Sequence, residues 1–237
     1  MKTPSGQIYD RMDLYILDMM AKYGFIRHQE QMFKLKSGVL SHVYVFGRED
    51  VTDHPDFEWL LGRKISLCIG ENTISEDKQP CLIGIPTAGT ALAQAAAMVS
   101  FTEAIRRPTG ERIRICHRVM KEAQKATHGA NPTWVNGKPQ PNIHTYWTVD
   151  NVVTDGGSKL EATVRLRESG YPAEEMPSFI LVDRQQGGIR KMEKAGFKRI
   201  VVAYKLLDLT FAFREMGLWP KSAVRAVEEE IAAHQVA

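Results

Sequence analysis

The sequence predicts an α/β fold in which a mainly parallel sheet is flanked by helices. Residues 179–183 and 199–204 are short and almost continuously apolar, which is typical of strands buried on both faces of a sheet. Segments of helical period lie between such strands, and this alternation indicates parallel order. The chain has 237 residues, of which 43% are hydrophobic, so it can bury a core as one globular domain.

The N-terminal part is predicted to form a helix, a hairpin and a further helix. Apolar residues recur at helical spacing in the first segment, and Gly24 suits its C-cap. The two hairpin strands are expected on either side of a Ser-Gly turn. The predicted segments are residues 14–23, 31–36, 42–46 and 54–69. We expect residues 1–60 to form a small N-terminal hood and residues 61–237 to form the core, within one structural domain.

The remainder is predicted to alternate between strands and helices. The strand segments are residues 81–86, 113–116, 145–153, 179–183 and 199–204. The helical segments are residues 91–105, 158–169, 189–195, 206–216 and 221–234. The stretch at residues 118–142 is polar and has no period, and a loop of that length in a compact domain is usually functional or disordered.

Composition and charge argue against several classes of protein. Lys and Arg number 31 and Asp and Glu 28, and the net charge of +3 is too small to indicate nucleic-acid binding. No apolar run approaches the ~20 residues of a membrane span, and the N-terminus lacks an apolar signal core. Three cysteines without metal-ligand spacing are typical of reduced thiols. We therefore expect a cytoplasmic protein that binds neither nucleic acid nor membrane.

A Thr-Asp-Gly-Gly-Ser turn follows the predicted strand at residues 145–153. Ligands of parallel sheets bind at the carboxyl ends of the strands, where such turns lie. Gly156 and Gly157 allow the backbone to approach an anion, and the next helix begins with unpaired N–H groups. The hydroxyls of Thr154 and Ser158 add donors, so the turn suits a phosphate monoester. It matches neither the Walker A nor the GxGxxG pattern, and an ordinary β–α turn with a capping Ser is the alternative.

Asp150 lies where that strand ends, a few residues before the turn. A carboxylate beside a phosphate site would repel the ligand unless the carboxylate binds hydroxyl groups or a cation. Ribose hydroxyls together with Mg²⁺ would satisfy both conditions. The strand end and the turn therefore predict a site for a ribose phosphate.

Five segments, in the family's order, resemble motifs of type I phosphoribosyltransferases. The signature for phosphoribosyl pyrophosphate (PRPP) is similar to TVDNVVTDGGS, and the turn that holds pyrophosphate is similar to LIGIPTAGTALA. Three segments resemble motifs of the orotate phosphoribosyltransferase branch. FKLKSGVLSHVYV resembles its N-terminal hairpin, KEAQKATHG resembles its mobile loop, and FILVDRQQGG resembles its Asp-Arg-Gln strand end. The matches cover roughly residues 10–215. They imply the type I phosphoribosyltransferase fold, with a hood and a long mobile loop.

The resemblance implies a pentosyl transfer from PRPP to orotate, which gives orotidine 5′-monophosphate and pyrophosphate during UMP synthesis. It implies Mg²⁺ held mainly by PRPP, without direct protein ligands, and a homodimer in which the mobile loop of one subunit reaches the other's site. The transition state places negative charge on the leaving pyrophosphate, so cationic donors and exclusion of water are needed. The catalytic residues would be Lys121, Lys125 and His128 on the loop, together with Asp150.

The resemblance also implies two sets of binding residues. PRPP would be bound by Lys36, Thr87, Ala88, Gly89, Arg118, Lys121, Lys125, His128, Asp150, Asn151, Val152, Val153, Thr154, Asp155, Gly156, Gly157 and Ser158. Orotate would be bound by Lys36, Tyr44, Val45, Thr154 and Arg184. Arg184 would pair with an oxygen of the base, and a surface Asp183–Arg184 pair is the alternative. Tyr44 and Val45 would cover the base, and hairpin core is their alternative.

Several positions depart from the family pattern. Asn151 replaces the second acid of the PRPP signature, and Asp155 stands where a small neutral residue is usual. We expect Asp155 to point outward, because a carboxylate near a phosphate would weaken binding. Met120 stands where the family has an Arg before the loop lysine, and Arg118 is the nearest substitute for that Arg. Leu40 occupies a position that is usually basic, and Val45 occupies one that is usually aromatic.

Two other functions stay open beside orotate phosphoribosyl transfer. A phosphoribosyltransferase for another base is compatible with Asn151 and the altered hairpin, although Arg184 favours an acidic base. A PRPP-binding regulator with weak or lost chemistry is compatible with the fold, although the lysines of the mobile loop favour catalysis.

Overall fold

The computed structural model describes residues 1–35, 38, 40–45, 49–73, 77–121 and 134–235. The helices are α1 (Arg11–Lys22), α2 (Glu49–Thr52), α3 (Pro55–Asn72), α4 (Ala88–Thr102), α5 (Gly157–Glu168), α6 (Gly188–Lys194), α7 (Leu206–Glu215) and α8 (Lys221–Gln235). The strands are β1 (Ile26–Lys34), β2 (Leu40–Val45), β3 (Gln79–Gly84), β4 (Cys116–Val119), β5 (His144–Val153), β6 (Ser178–Asp183) and β7 (Ile200–Lys205). Within the described part of the chain, no helix is long and apolar enough to cross a membrane.

The central sheet has five strands in the order β4-β3-β5-β6-β7, and every neighbouring pair is parallel. This confirms the predicted parallel sheet. All residues of β6 are buried, as expected for a strand covered on both faces. Because the order is parallel, the carboxyl ends of the strands lie at one edge of the sheet, here called the carboxyl edge. The turns that follow β3, β5 and β6 therefore lie close together.

The N-terminal elements pack on this sheet through a shared core. β1 and β2 form the predicted antiparallel hairpin, with Ile26 opposite Val45, although β1 begins five residues before the predicted position. One hydrophobic cluster contains Ile16 of α1, Phe57 of α3 and Trp147 of β5. The expected boundary between hood and core at residue 60 falls inside α3.

Two elements differ from the sequence prediction. The strand expected at residues 113–116 begins only at Cys116, which pairs with Cys81 of β3. Ile113 instead donates its N–H to the carbonyl oxygen of Ile105, so this segment pairs with its own hairpin before it reaches the sheet. Helix α4 begins at Ala88, three residues before the predicted start.

The predicted long loop at residues 118–142 is closed at its base. Residues 118 and 119 belong to β4, and Met120 forms an antiparallel bridge with Val135. The N–H of Lys121 donates to the carbonyl oxygen of Trp134 at 2.7 Å. Both ends of the loop are therefore anchored beside the carboxyl edge, while residues 122–133 lie outside the described part of the chain.

Candidate active site

The turn after β5 places the N-terminus of α5 at the carboxyl edge. Gly156 is the N-cap of α5 and has a φ of +78°, a left-handed conformation that favours glycine. A Cβ atom on Gly156 would also lie 3.1 Å from the carbonyl oxygen of Gly188, at the start of α6. The side chain of Ser158 is exposed and that of Thr154 half-buried. Hydroxyls and the first N–H groups of α5 can therefore meet an anion at this turn.

Asp155 is exposed at the tip of the same turn, with its side chain 57% accessible. This agrees with the expected outward orientation. Its Oδ1 atom accepts a hydrogen bond from the N–H of Gly157 at 3.2 Å, and its Oδ2 atom lies 3.8 Å from Nζ of Lys191. The carboxylate therefore occupies one of the backbone donors that an anion at the α5 N-terminus would use.

The carboxylate of Asp150 is buried and paired within the chain, and its predicted contact with ribose stays a prediction. The residue is 7% exposed, and its Oδ2 atom forms an ion pair of 2.6 Å with Nζ of Lys159. Its Oδ1 atom accepts the N–H of Asn151 at 2.8 Å. Both oxygens therefore have partners within the chain, and the charge is balanced by a lysine that α5 carries to this face of β5.

Lys159 is a residue that the sequence reasoning missed. It is buried, and its ammonium group also contacts the carbonyl oxygen of Val152 and the hydroxyl of Ser158. Its position directly after the phosphate-type turn could have drawn attention to it. Nothing in the local sequence shows, however, that its side chain points inward and pairs with Asp150. Asn151 is half-buried on the opposite face of β5, since successive side chains of a strand alternate.

The turn after β3 packs directly against β5. The N–H of Ile85 donates to the carbonyl oxygen of Val149 at 2.8 Å. Thr87 is exposed, whereas Ala88 and Gly89 begin α4 and are buried. A Cβ atom on Gly89 would lie 2.2 Å from the carbonyl oxygen of Val149, so only glycine permits this approach. The predicted pyrophosphate turn and the predicted phosphate turn therefore lie on adjacent strands.

The base of the long loop carries Arg118 and Lys121. The guanidinium of Arg118 lies over the rings of Tyr146 and Tyr171, at 5.5 and 5.6 Å from their centroids. It also donates to the carbonyl oxygen of Lys138 at 2.5 Å and to the hydroxyl of Tyr171. Arg118 is thus engaged by the loop base, whereas Lys121 is exposed. The predicted catalytic residues Lys125 and His128 lie outside the described residues.

Arg184 is almost completely buried, at 1% exposure, beneath β2 and α8. Its Nη1 atom donates to the carbonyl oxygen of Val43 at 2.8 Å, and its Nη2 atom donates to Oγ of Ser41 at 2.6 Å. Nη2 also lies 3.2 Å from Oε1 of Glu230, and Nε lies 3.3 Å from Oε1 of Gln186. Burial lowers the pKa of the Arg184 guanidinium, and the Glu230 carboxylate opposes that shift.

Because Arg184 is buried, the alternative in which it forms a surface pair with Asp183 is wrong. Asp183 is also buried, which raises the pKa of its carboxyl, and its Oδ1 atom accepts the N–H of Gln185. The partner of Arg184 is instead Glu230. The direct contact between Arg184 and a base stays a prediction, but in this structure the guanidinium donates to acceptors of the protein itself.

Glu230 of α8 is the second residue that the sequence reasoning missed. Its carboxylate accepts from Oγ of Ser41 at 2.9 Å, from the N–H of His42 at 3.3 Å and from Nε2 of Gln186 at 2.5 Å, in addition to Arg184. Arg184 and Glu230 lie 46 positions apart in the sequence, so no local pattern reveals their contact. The four residues Ser41, Arg184, Gln186 and Glu230 are called the Arg184 cluster below.

Two hairpin residues, Tyr44 and Val45, were expected to cover the base. Their side chains point to opposite faces of the strand. Val45 is buried in the main core, which is the hairpin-core alternative. Tyr44 is exposed, and its ring centroid lies 5.1 Å from that of Phe33. Since neighbouring side chains of a strand point to opposite faces, the two residues cannot form one cover over a base. Lys36 lies outside the described residues.

A direct protein site for a metal is not evident in the described part of the chain. There, no three His, Cys, Asp or Glu side chains come close enough together to hold a metal ion. The acidic residues at the ends of β5 and β6 and in the turn after β5 have partners in the chain. Asp150 is paired with Lys159, Asp155 is hydrogen-bonded to Gly157, and Asp183 accepts the N–H of Gln185.

Known proteins of similar sequence are orotate phosphoribosyltransferases. The chain is 30% identical over 202 residues to an orotate phosphoribosyltransferase of Nostoc sp., which covers 85% of this chain and 87% of that protein. It is 28% identical over 181 residues to an orotate phosphoribosyltransferase of Sulfolobus acidocaldarius, with coverage of 75% and 77%. A uridine 5′-monophosphate synthase of Caenorhabditis elegans is 31% identical over 194 residues, which are 82% of this chain and 34% of that protein.

Solved structures of similar fold carry the same names. The orotate phosphoribosyltransferase of Aeropyrum pernix has a TM-score of 0.57 at 21% identity, with coverage of 86% of this chain and 99% of that chain. The Francisella tularensis enzyme has a TM-score of 0.61 at 15% identity, with coverage of 91% and 96%. At these identities the likeness shows the type I phosphoribosyltransferase fold alone. No model of a known protein family matches the chain. The extent and identity of the match to the Nostoc relative nevertheless show that the chain belongs to the orotate phosphoribosyltransferase family.

Proposed function

We propose that the chain transfers the phosphoribosyl group of PRPP to orotate, giving orotidine 5′-monophosphate and pyrophosphate in pyrimidine biosynthesis. The observation that carries the proposal is the common location of three turns at the carboxyl edge. The turn after β5 has a helix N-terminus for a phosphate, the turn after β3 abuts it, and the turn after β6 carries a buried arginine. Membership of the orotate phosphoribosyltransferase family supports the assignment.

The PRPP half of the site is proposed to use mainly backbone and hydroxyl donors. Thr154, Gly156, Gly157 and Ser158 would hold the 5′-phosphate, because the N-terminus of α5 attracts an anion without a cationic side chain. The backbones of Val152 and Val153 complete the strand end, and Asn151 would hydrogen-bond the ribose. The residues Thr87, Ala88 and Gly89 would face the pyrophosphate from the adjacent turn.

Mg²⁺ is proposed to be held mainly by oxygens of PRPP. The donor set of the chain fits this arrangement, because both oxygens of Asp150 accept hydrogen bonds from the chain itself. When bound, Mg²⁺ would neutralise part of the negative charge of the pyrophosphate. Lys121 is exposed at the loop base, and we propose that it acts on the leaving pyrophosphate together with Lys125 and His128.

The base half is proposed to depend on an exchange at Arg184. A carboxylate of orotate presents the same kind of paired acceptor oxygens as Glu230, and guanidinium groups bind such oxygens in a bidentate manner. Direct contact between orotate and the Nη2 atom of Arg184 therefore requires Glu230 to leave its present position. The exchange replaces one carboxylate with another, so the buried guanidinium keeps a partner throughout.

A homodimer with the mobile loop shared between subunits is also proposed. Trp59, Met98 and Phe101 are large exposed apolar side chains on α3 and α4, two helices that pack together. Exposed apolar residues of this size support a subunit interface. We further propose a cytoplasmic location, which suits three free thiols, and a hood formed within residues 1–60.

The test mixes the protein with PRPP, Mg²⁺ and orotate and follows the loss of orotate absorbance together with pyrophosphate release. Equal loss and release support the proposal. The pairing of Glu230 with Arg184 favours one second candidate, a phosphoribosyltransferase for a neutral base. Because Glu230 already balances the charge of the arginine, the base need not carry a negative charge. Consumption of uracil but not orotate would favour that candidate. Binding of PRPP without consumption of either base would instead indicate a PRPP-binding regulator.

A further inference from the structure

A separate cavity of about 380 Å³ opens at the other edge of the sheet, where β3 begins. Gln79 and Pro80, the first two residues of β3, form part of its wall. The proposed catalytic turn follows Gly84 at the far end of the same strand. At about 3.3 Å per residue, the strand separates the two places by about 16 Å. The cavity is therefore distinct from the carboxyl edge.

The wall of this cavity is strongly cationic. Its basic side chains are those of Lys78, Arg107, Arg112 and Arg114, and its acidic side chain is that of Asp77. The whole chain carries a net charge of only +3. The local excess of positive charge is thus as large as that of the entire molecule, and such a concave surface concentrates anions.

Arg107 provides an independent indication of a ligand. It is only 8% exposed, and its Nε and Nη1 atoms are buried without a hydrogen-bond partner among the described residues. The carboxylate of Glu111 lies 3.9 Å from Nη1, which is beyond hydrogen-bond distance. A buried guanidinium whose ion pair is too long for a hydrogen bond is incompletely compensated, and an anion in the adjoining cavity would supply close acceptor oxygens.

The arginines are held in place by a short hairpin rather than by a loose loop. The N–H of Arg107 donates to the carbonyl oxygen of Glu111 at 2.8 Å, and Arg106 and Arg112 form an antiparallel bridge. The guanidinium of Arg112 donates to the carbonyl oxygen of Phe101, and that of Arg114 lies 5.8 Å from the Phe101 ring centroid. The cationic wall is therefore arranged before any ligand binds, which reduces the entropic cost of binding.

We propose that this cavity binds a phosphate-bearing small molecule of about nucleotide size. Planar guanidinium groups match the oxygens of phosphate in a bidentate manner, and arginines also stack on bases. A volume of about 380 Å³ lies within the usual range for small-molecule sites, which is roughly 300–1,000 Å³. The assignment does not depend on the proposed catalytic function, because none of these side chains belongs to the carboxyl edge.

The test counts bound AMP per chain by equilibrium dialysis, with inorganic phosphate as a second probe. Arg107→Gln and Arg114→Gln should each weaken AMP binding at this cavity at least about ten-fold, the effect of one charge-assisted bond. At an AMP concentration equal to the wild-type Kd, this cavity should therefore be about half occupied in the wild type and about one-tenth occupied in each variant. Arg106→Gln is the matched control, because Arg106 lies on the same hairpin, is exposed and does not line the cavity.

Equal AMP binding per chain at that concentration in the wild type and all three variants would overturn the proposal. Binding of inorganic phosphate but not AMP at the Arg107-dependent site would overturn the assigned ligand size. Orotate-dependent turnover serves as a check that the variants fold, since the cavity lies away from the catalytic edge. If Arg107→Gln fails to fold, Arg114→Gln alone decides the question, because Arg114 is exposed on the cavity wall.

Discussion

The turns after β5 and β6 leave the same edge of the sheet but present opposite environments. After β5, glycines and the N-terminus of α5 form a turn with exposed side chains. After β6, Arg184 is buried beneath β2 and α8 and is paired with Glu230. Backbone donors carry no net charge, so an empty anion site made from them can stay open to water. A buried guanidinium needs a counter-ion even without substrate, and Glu230 provides it.

The same contrast recurs between Asp150 and Asp155, which lie five positions apart. Asp150 is buried and therefore requires Lys159, whereas Asp155 is exposed and forms only a 3.8 Å contact with Lys191. Exposed pairs contribute little to stability, but loss of one partner from a buried pair is expensive. The comparison thus predicts that substitutions on the closed side act mainly on stability and those on the open side mainly on ligand affinity.

The largest effect is expected for Arg184→Ala. It leaves the buried carboxylate of Glu230 without its counter-charge, so the free energy of unfolding should fall by about 5 kcal/mol. Urea denaturation measures the change. The double substitution of Arg184→Met with Glu230→Leu removes both charges and should recover most of the loss. A single variant as stable as the wild type would show that the Arg184 cluster is not a buried ion pair in solution.

A loss of about 3 kcal/mol in unfolding free energy is expected for Lys159→Met, because Asp150 then lacks its partner. Lys191→Met is the matched control, since it removes an exposed lysine near the same turn. Asp150→Asn should also lower stability, as measured by urea denaturation. If Asp150→Asn abolished turnover without changing stability, the carboxylate would act on the substrate, as the resemblance implies.

Glu230→Gln should tighten orotate binding about ten-fold, which corresponds to about 1.4 kcal/mol. The amide can still accept from Ser41, but it no longer competes as an anion for Arg184. The KM for orotate should therefore fall while the KM for PRPP stays constant. The buried guanidinium also loses its counter-charge in the free protein, so the free energy of unfolding should fall by about 3 kcal/mol. Glu229→Gln on the same helix is the control, because Glu229 is exposed and pairs with Arg225. A higher KM for orotate would mean that Glu230 holds Arg184 in its productive position.

The smallest effect is expected for Asp155→Ala. Loss of the bond to the Gly157 N–H should cost about 1 kcal/mol of stability, typical of a lost cap. The same change frees that N–H and removes a negative charge, so PRPP should bind several-fold more tightly. Calorimetric titration with PRPP measures the affinity. Unchanged affinity would show that the phosphate does not use the Gly157 donor.

The sheet and the phosphate-type turn could be predicted because their signals are local. Continuous apolar runs mark β6 and β7, and Gly156 with Gly157 marks the turn. The start of β4 was misplaced because Ile113 and Ile115 alternate as in a strand, but the N–H of Ile113 donates to Ile105 and that of Ile115 to Oγ of Ser100. Local sequence does not distinguish these two sets of partners.

The ion pairs of the candidate site could not be predicted, because their partners come from different elements. Lys159 meets Asp150 only when α5 packs on β5, and Glu230 meets Arg184 only when α8 covers the hairpin. The opposite orientations of Tyr44 and Val45 were within reach, since adjacent residues of a strand alternate. The family pattern instead suggested that they act as a pair.

The glycines at the two turns also fix the spacing between the two halves of the site. A Cβ atom on Gly188 would lie 2.5 Å from the carbonyl oxygen of Thr154, and one on Gly156 would lie 3.1 Å from that of Gly188. The two turns therefore touch through main-chain atoms, with the side chains of Val153 and Met192 packed beside the same contact. Substitutions in the hairpin or in α8 can then alter which base is accepted while the distance from base to phosphate stays constant. In evolutionary terms, the base preference of this scaffold is free to diverge without a redesign of its sugar-phosphate site.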